Sequence, residues 1–300
     1  MTTISKLLIN YREHYKITQH QLAEKLALYS FDFINLSSVT ISRWETGTTA
    51  PSMNKKKKLL HYFMLSNCMY RNQECYTILQ ETYKRLYNPL SKVFIRNYQY
   101  LIGNFPEFKL TPSNIYSLMD FNNKNEHIEH IIDIEVITNI ENYYTVTKKN
   151  FSALCSCPSS FSIICERKKQ HLGHFIMFKI KNSVAEEIVR YKRKEHTITV
   201  NDICTIEERG TYYIHAFYGK NPKIAALLNT YAYLHLFNNL ETIDNLLIFS
   251  SRKDGVLLTK DYGIKLVDKG FDEKLNFQWH GLMSPIEDIL FSDTVIKCIF

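Results

Sequence analysis

Cys155, Cys157, Cys165, His171 and His174 crowd into one short stretch, and thiolates and imidazoles are the side chains that hold Zn²⁺ and other thiophilic metals. The spacing Cys155-Ser-Cys157 is not the Cys-x-x-Cys of a structural zinc site, and 161–165 reads as a strand. Ordinary cysteines are therefore expected, with no metal; a redox pair using Cys155 or Cys157 beside Pro158 is the alternative. Glu207 and Glu208 could act as a base at a strand end, although paired surface carboxylates are commoner. His215, inside the aromatic run 212–217, reads as a core or edge histidine. No Gly-x-Ser-x-Gly, Walker loop or dinucleotide fingerprint is present, so neither a catalytic residue nor a cofactor is expected.

A second chemistry lies nearer the start. Ser37 can cap a short helix whose inward residues are Ile41 and Trp44 and which stops near Gly47 and Pro51. Ser38, Val39, Ser42 and Arg43 would occupy its open face, and a helix of that size fits the major groove of B-DNA. The elements that must position it are legible. Ile4, Leu7, Leu8 and Tyr11 recur at helical spacing, and 17–26 reads as a second helix with Thr18 as N-cap and Gln21 at the capping-box position. A fourth helix is expected over 53–65.

Residues 4–65 resemble the lambda-repressor-like, Cro/XRE-type helix-turn-helix family, through Thr18-Gln19, Leu22-Ala23, Leu26, Thr40-Ile-Ser-Arg-Trp-Glu45, Gly47 and Pro51. The resemblance implies that Gln19 and Thr40 bond phosphates, that Ser38, Val39 and Arg43 read bases, and that Arg12 and Glu45 form a buried ion pair. The chain departs from the family in an apolar insert over 27–34, expected to extend the second helix and pack, to meet a partner, or to touch DNA backbone through Tyr29.

Charge runs the same way. Residues 1–100 carry 14 Lys and Arg against 6 Asp and Glu, whereas 101–300 carry 23 against 24, so the basic excess sits with the helical motif. Lys55, Lys56, Lys57 and Lys58 fall near a helix start, where the macrodipole disfavours cations unless they meet an anion.

With 300 residues the expectation is a multidomain chain: 1–68 an all-α helix-turn-helix domain, 69–125 a helical connector of two helices followed by a short helix over 111–121, and 126–300 an α/β (α+β) domain. In that last part 131–137, 161–166, 175–180, 202–207, 212–218, 246–249 and 264–267 read as strands and 184–191 and 222–240 as helices. The order strand 212–218, helix from Pro222, strand 246–249, short helix 255–261 and strand 262–267 resembles the acyl-CoA N-acyltransferase (GNAT) fold. By that resemblance a CoA pyrophosphate would sit on the loop 219–226, which keeps Gly219, Lys220 and Lys223 but lacks the family's glycine spacing. The family's frequent general-acid Tyr position is Thr259 here. The reading is accordingly a degenerate GNAT-like sensory or dimerisation domain.

The function expected from sequence is a dimeric, sequence-specific DNA-binding transcriptional regulator that is not an enzyme. Its partners would be double-stranded DNA, a second copy and a small acyl ligand or a protein. The alternatives are a DNA-tethered N-acyltransferase using acyl-CoA and an antitoxin-like protein-binding regulator. Absence of a long apolar run and of a signal-peptide pattern, with an odd count of seven cysteines, points to a cytoplasmic protein without a membrane span.

Overall fold

A computed structural model describes residues 3–52, 54–56, 58–59, 62–63, 114–120, 124–138, 148–252, 255–257, 259, 262–290 and 292. The two connector helices expected between 69 and 105 lie outside these residues. The chain divides into two compact units, one holding the N-terminal helices and the other the sheet.

In the first unit, helix α1 (Thr3–Tyr15) buries Ile4, Leu7, Leu8 and Tyr11, the stripe expected from their spacing. Helix α2 (Gln19–Tyr29) opens on a capping box in which Thr18 Oγ1 accepts from Gln21 N–H and Gln21 Oε1 accepts from Thr18 N–H. The insert lengthens α2 to Tyr29 and then makes a 3-10 turn, Phe31–Phe33, that buries Phe33. Tyr29 packs against Tyr62 with the rings tilted by 60° and their centroids 5.2 Å apart. Helix α3 (Ser38–Thr46) is capped by Ser37 and ended by Gly47 at φ 78°, a left-handed position that favours glycine. Arg12 grips Glu45 through two hydrogen bonds of 2.6 and 3.0 Å, tying α1 to the end of α3.

The second unit is a seven-stranded sheet in the order β1-β2-β3-β4-β5-β7-β6. Its strands are β1 (Ile115–Ser117), β2 (Phe161–Arg167), β3 (Gln170–Ile180), β4 (Gly210–Gly219), β5 (Ile243–Ser250), β6 (Leu266–Asp272) and β7 (Phe277–Pro285). All neighbours are antiparallel except β4 and β5. Parallel neighbours need a long crossover, and α7 (Pro222–Asn238) supplies it. Asn221 caps α7 through Ile224 N–H, and Pro222 occupies the first turn, where its missing N–H costs nothing.

Residues alternate between the faces of a strand. Ile176, Phe178 and Ile180 of β3 point into a core with α4 (Lys124–Thr138), α5 (Lys148–Cys155) and α6 (Asn182–Val189). Gly173 points the other way, toward Ile224 and Leu228 of α7. A five-residue helix, α8 (Ile286–Leu290), follows β7.

Several expected elements are corrected. Residues 131–137, read as a strand for their β-branched run, belong to α4, because Ile128 and Ile131 share one buried stripe at helical spacing. The helix expected over 111–121 contains instead the edge strand β1, and the helix α4 starts at Lys124, before the expected domain boundary at 126. The strand expected over 202–207 is replaced by a 3-10 turn, Val200–Asp202, fastened by Asp202 to Thr199. The strand expected over 264–267 is displaced to Leu266–Asp272, and the expected reading had no counterpart for β7.

Gly281 of β7 lies so close to Val189 that a Cβ would collide with the Val189 backbone carbonyl. Neither partner is a flexible side-chain tip, so Gly281→Ala should destabilise the fold by about 3 kcal/mol, at the upper end for overpacking. A urea midpoint unchanged from the parent would contradict this.

Candidate active site

Strand β4 holds the site through a local irregularity. On β3, Ile176 faces Ala216 while the next residue, Met177, faces Ile214, so His215 is an inserted residue. Such a bulge bends a strand and re-aims a side chain. It occurs where β4 leaves its parallel neighbour: the last β4–β5 pair is Ile214 with Ile248, although β4 runs on to Gly219 and β5 to Ser250. Beyond that pair β4 and β5 make no backbone pairing with one another up to their ends.

The His215 side chain is only 7% exposed. Its ring packs between Phe151 of α5, at 5.5 Å, and Phe178 of β3, at 5.2 Å. Its Nε2 lies 3.4 Å from Glu135 Oε1, and neither ring nitrogen makes a hydrogen bond among the described residues. Burial pushes the imidazole down to about 4, so it is neutral at physiological pH.

Glu135 lies on α4 one turn beyond Ile131, on the helix side that meets the sheet. Burial, and then the charge of Glu195, push its carboxyl up to about 8. Glu195 sits on the 3-10 turn Glu195–Thr197 and accepts the Tyr213 hydroxyl; burial raises it as well, against that hydrogen bond. A carboxyl that changes charge near neutral pH, beside a neutral imidazole in an apolar enclosure, is suited to taking a proton from an attacking nucleophile.

On the opposite face, α7 returns tightly onto β4. A Cβ on Gly219 would come within 2.9 Å of Ala225 N, so only glycine allows the approach. Asn221 Oδ1 already holds Ile224 N–H at 3.0 Å and Lys220 N–H donates to Leu172 O at 2.8 Å, which leaves fewer amides for an anion than a glycine-rich loop offers. Positive charge is supplied by side chains instead: Lys220 and Lys223 flank the helix start. Arg167 and Lys168, with Gln170 and Leu172, line a small pocket on the β2–β3 hairpin.

The other residues singled out from sequence are placed as follows. Thr259 is buried and donates to Val256 O, so it does not replace a general-acid tyrosine. Glu208 accepts Thr205 N–H in an exposed turn, and that bond lowers its carboxyl, so the pair 207–208 is not a base. Burial pushes the Cys155 thiol up strongly, raises Cys157 and takes Cys165 up to about 12, which keeps these thiols protonated and unreactive. Among the described residues no group of three or more His, Cys, Asp or Glu is arranged to hold a metal.

In the N-terminal unit, Gln19 does not project outward. Its amide donates to Glu45 Oε2 at 2.7 Å, closing the Arg12–Glu45 pair. Ser37 and Thr40 are joined through their hydroxyls at the start of α3. Ser38, Val39, Ser42 and Arg43 lie on α3, with Val39 and Arg43 exposed. Lys58 pairs with Asp32 of the insert, Lys55 and Lys56 are half-buried, and Lys57 lies outside the described residues. The sequence reading missed Glu135 and Glu195; the two acids, Asp133 and Glu135, within the apolar run Ile-Ile-Asp-Ile-Glu-Val-Ile were the available signal.

The mixed seven-stranded sheet with its parting parallel pair and flanking helices fits a GNAT-like α/β domain. No protein-family profile matches the chain, and no curated protein matches it. Solved structures do. An aminoglycoside 6'-acetyltransferase type Ii is 10% identical over 57% of this chain and 96% of its own, with a TM-score of 0.37. FeeM, an N-acyl amino acid synthase from uncultured soil microbes, is 11% identical over 58% and 95%, with a TM-score of 0.39. The ribosomal-protein-S18-alanine N-acetyltransferase from Escherichia coli is 10% identical over 57% and 92%, with a TM-score of 0.35. These matches correct the main expectation from sequence. The structures this chain matches are acyltransferases, so the readings as a non-enzymatic, DNA-binding, XRE-type transcriptional regulator and as "not an enzyme" are withdrawn. Among the described residues no helix is long and apolar enough to cross a membrane.

Proposed function

We propose that the sheet unit is an N-acyltransferase that moves an acyl group from a CoA-type thioester to an amine. The observation that carries this reading is the buried His215 imidazole, without a hydrogen-bond partner among the described residues, on a bulge where β4 parts from β5. A buried polar group left unsatisfied costs stability, which a reacting group can offset by occupying the gap. The amide-rich arm of the thioester would pair with the strand ends. Its phosphates would meet Lys220, Lys223, Arg167 and Lys168 more than the start of α7. The amine attacks the thioester carbonyl, the carbon–sulfur bond breaks, and the proton lost by nitrogen passes to Glu135 and ends on the departing thiolate.

For the N-terminal unit we propose a fold and no activity: α1, the capped α2 and the capped α3 support a helix-turn-helix arrangement. A domain boundary falling within 69–125 is part of the same proposal.

The test is acetyl-CoA with a panel of primary amines, read as free thiol and as acylated amine. Amine-dependent thiol release that collapses in His215→Ala is expected. Absence of both thiol release and acetyl-CoA binding by calorimetry at millimolar concentration would overturn the assignment.

A further inference from the structure

A second group of buried imidazoles lies outside the cluster around His215. His171 and His174 are three residues apart on β3, a spacing that normally sends side chains to opposite faces. A second bulge changes that. Cys165 pairs with Gly173 but the next residue, Glu166, pairs with His171, so Leu172 is extra and His171 turns to the same side as His174. His171 Nε2 then lies 3.0 Å from His174 Nδ1, and His171 Nδ1 lies 3.1 Å from His127 Nδ1 on α4. His127 Nε2 faces Glu166 Oε2 at 3.6 Å. Glu166 is held in place by Lys169 N–H, which donates to its other oxygen at 2.9 Å. Lys168 and Lys169 make the hairpin turn at φ 52° and 64°, a conformation that costs non-glycine residues energy and that the Glu166 contact helps to retain.

The contacts along the chain favour one placement of the protons. A carboxylate can only accept, so the 3.6 Å contact with Glu166 favours Nε2–H on His127, with Nδ1 as its acceptor. His171 must then donate Nδ1–H to His127, and its bare Nε2 must accept Nδ1–H from His174. Nε2 of His174 is left without a proton. The His174 ring packs against Tyr218 of β4, at 6.0 Å, and lies within electrostatic range of His215.

We propose that Glu166, His127, His171 and His174 form a polarised relay that holds His174 Nε2 unprotonated beside the β4 segment of the active site. This deepens, and rests on, the acyl-transfer reading. While the proton released by the amine is held on Glu135, the chain responds without taking it: Nδ1–H of His174 leans toward His171 and the His171 proton toward His127, so that positive charge is stabilised beside Glu166. The shifts reverse when the thiolate is protonated, and no proton is gained or lost over a turnover. The other charged or titratable groups around the relay are Glu126 and His130 of α4 and Lys220. His174 is here a positioning residue, since it acts through β4.

The test begins with the full chain labelled with ¹⁵N-histidine, whose long-range proton–nitrogen couplings report tautomers without any assay of activity. His127 as Nε2–H and both His171 and His174 as Nδ1–H are expected. His171 or His174 found as Nε2–H in the parent protein would overturn the relay. Glu166→Gln should mix these tautomers and lower kcat on the order of tenfold with KM for acetyl-CoA unchanged, shifting the basic limb of the pH profile. Unaltered tautomers, or an unaltered kcat and profile, would also overturn it. The two readings fail separately. Expected tautomers in a protein without acyl transfer sink the enzyme assignment and its use of the relay, and leave the polarised chain standing. Acyl transfer with the wrong tautomers sinks the relay alone.

Discussion

Glu135→Gln should reduce acyl transfer by about 10²–10⁴-fold, the range for removal of a general base, while the protein stays folded. The same substitution should alter the pH dependence of stability in a defined direction. The Glu135 carboxyl titrates at about 8 in the folded chain, against 4.5 for the free group. Between those values the unfolded chain has lost its proton and the folded chain keeps one, so the contribution of Glu135 is full below 4.5 and declines as pH rises through about 8. The total decline is of order a few kcal/mol. Glutamine cannot ionise, so the variant's melting temperature should fall less between pH 5 and pH 8 than the parent's. A variant with full turnover would remove Glu135 from the mechanism. Parallel melting curves would show that its carboxyl is not held neutral.

The opposite slope is expected on the acid side. Burial first, then neighbouring charge, push His171 down to about 2 and His174 down to about 3; burial takes His215 and His235 down to about 4. These groups stay neutral in the folded chain while the unfolded chain binds protons below the free value of 6.5. Their contribution is therefore full above 6.5 and falls as the solution is acidified toward the folded values. Each group removes up to about 1.4 kcal/mol per pH unit, discounted where the imidazoles share one network, against a total stability of roughly 5–15 kcal/mol. Cooperative loss of tertiary structure between pH 5 and pH 4 is expected, read by near-ultraviolet circular dichroism. A native spectrum at pH 3 would mean that these imidazoles are not buried neutral.

The parts of the fold that the sequence revealed are those where one local signal dominates. The runs 161–166 and 212–218 were read as strands for their β-branched and aromatic content, and both became interior strands of the sheet. Pro222 before a long apolar segment marked the start of α7 to the residue. Resemblance gave the Arg12–Glu45 pair, which the folded chain makes with two hydrogen bonds. What escaped is what only tertiary contact decides. Isoleucine and valine over 131–137 favour a strand locally, and burial of Ile128 and Ile131 on one stripe overrides that preference. The site depends on two inserted residues, Leu172 and His215, and each sits in a run whose apolar pattern continues through it. His215 therefore read as a core or edge histidine, and His171 and His174 were weighed only beside the cysteines, whereas they are partners of one another. Reading function from the strongest motif also misled, because the helical unit has a memorable pattern whereas Glu135 and Glu195 have none.

The two bulges give this sheet an unusual sensitivity to length. In a strand, one residue more or less is a half-period, so each insertion works as a phase slip between the segments on either side. Deleting Leu172 would leave composition, charge and hydropathy almost untouched. It would nevertheless rotate His171 and the Lys168–Lys169 turn onto the face that carries α7, and separate Glu166 from the imidazoles it orders. Single-residue deletions, which most surface loops absorb, should here be as disabling as loss of a reacting group, while substitutions of Leu172 by other apolar residues should be tolerated. The information that places the imidazoles is held in the count of residues along β3 more than in the identity of any one of them.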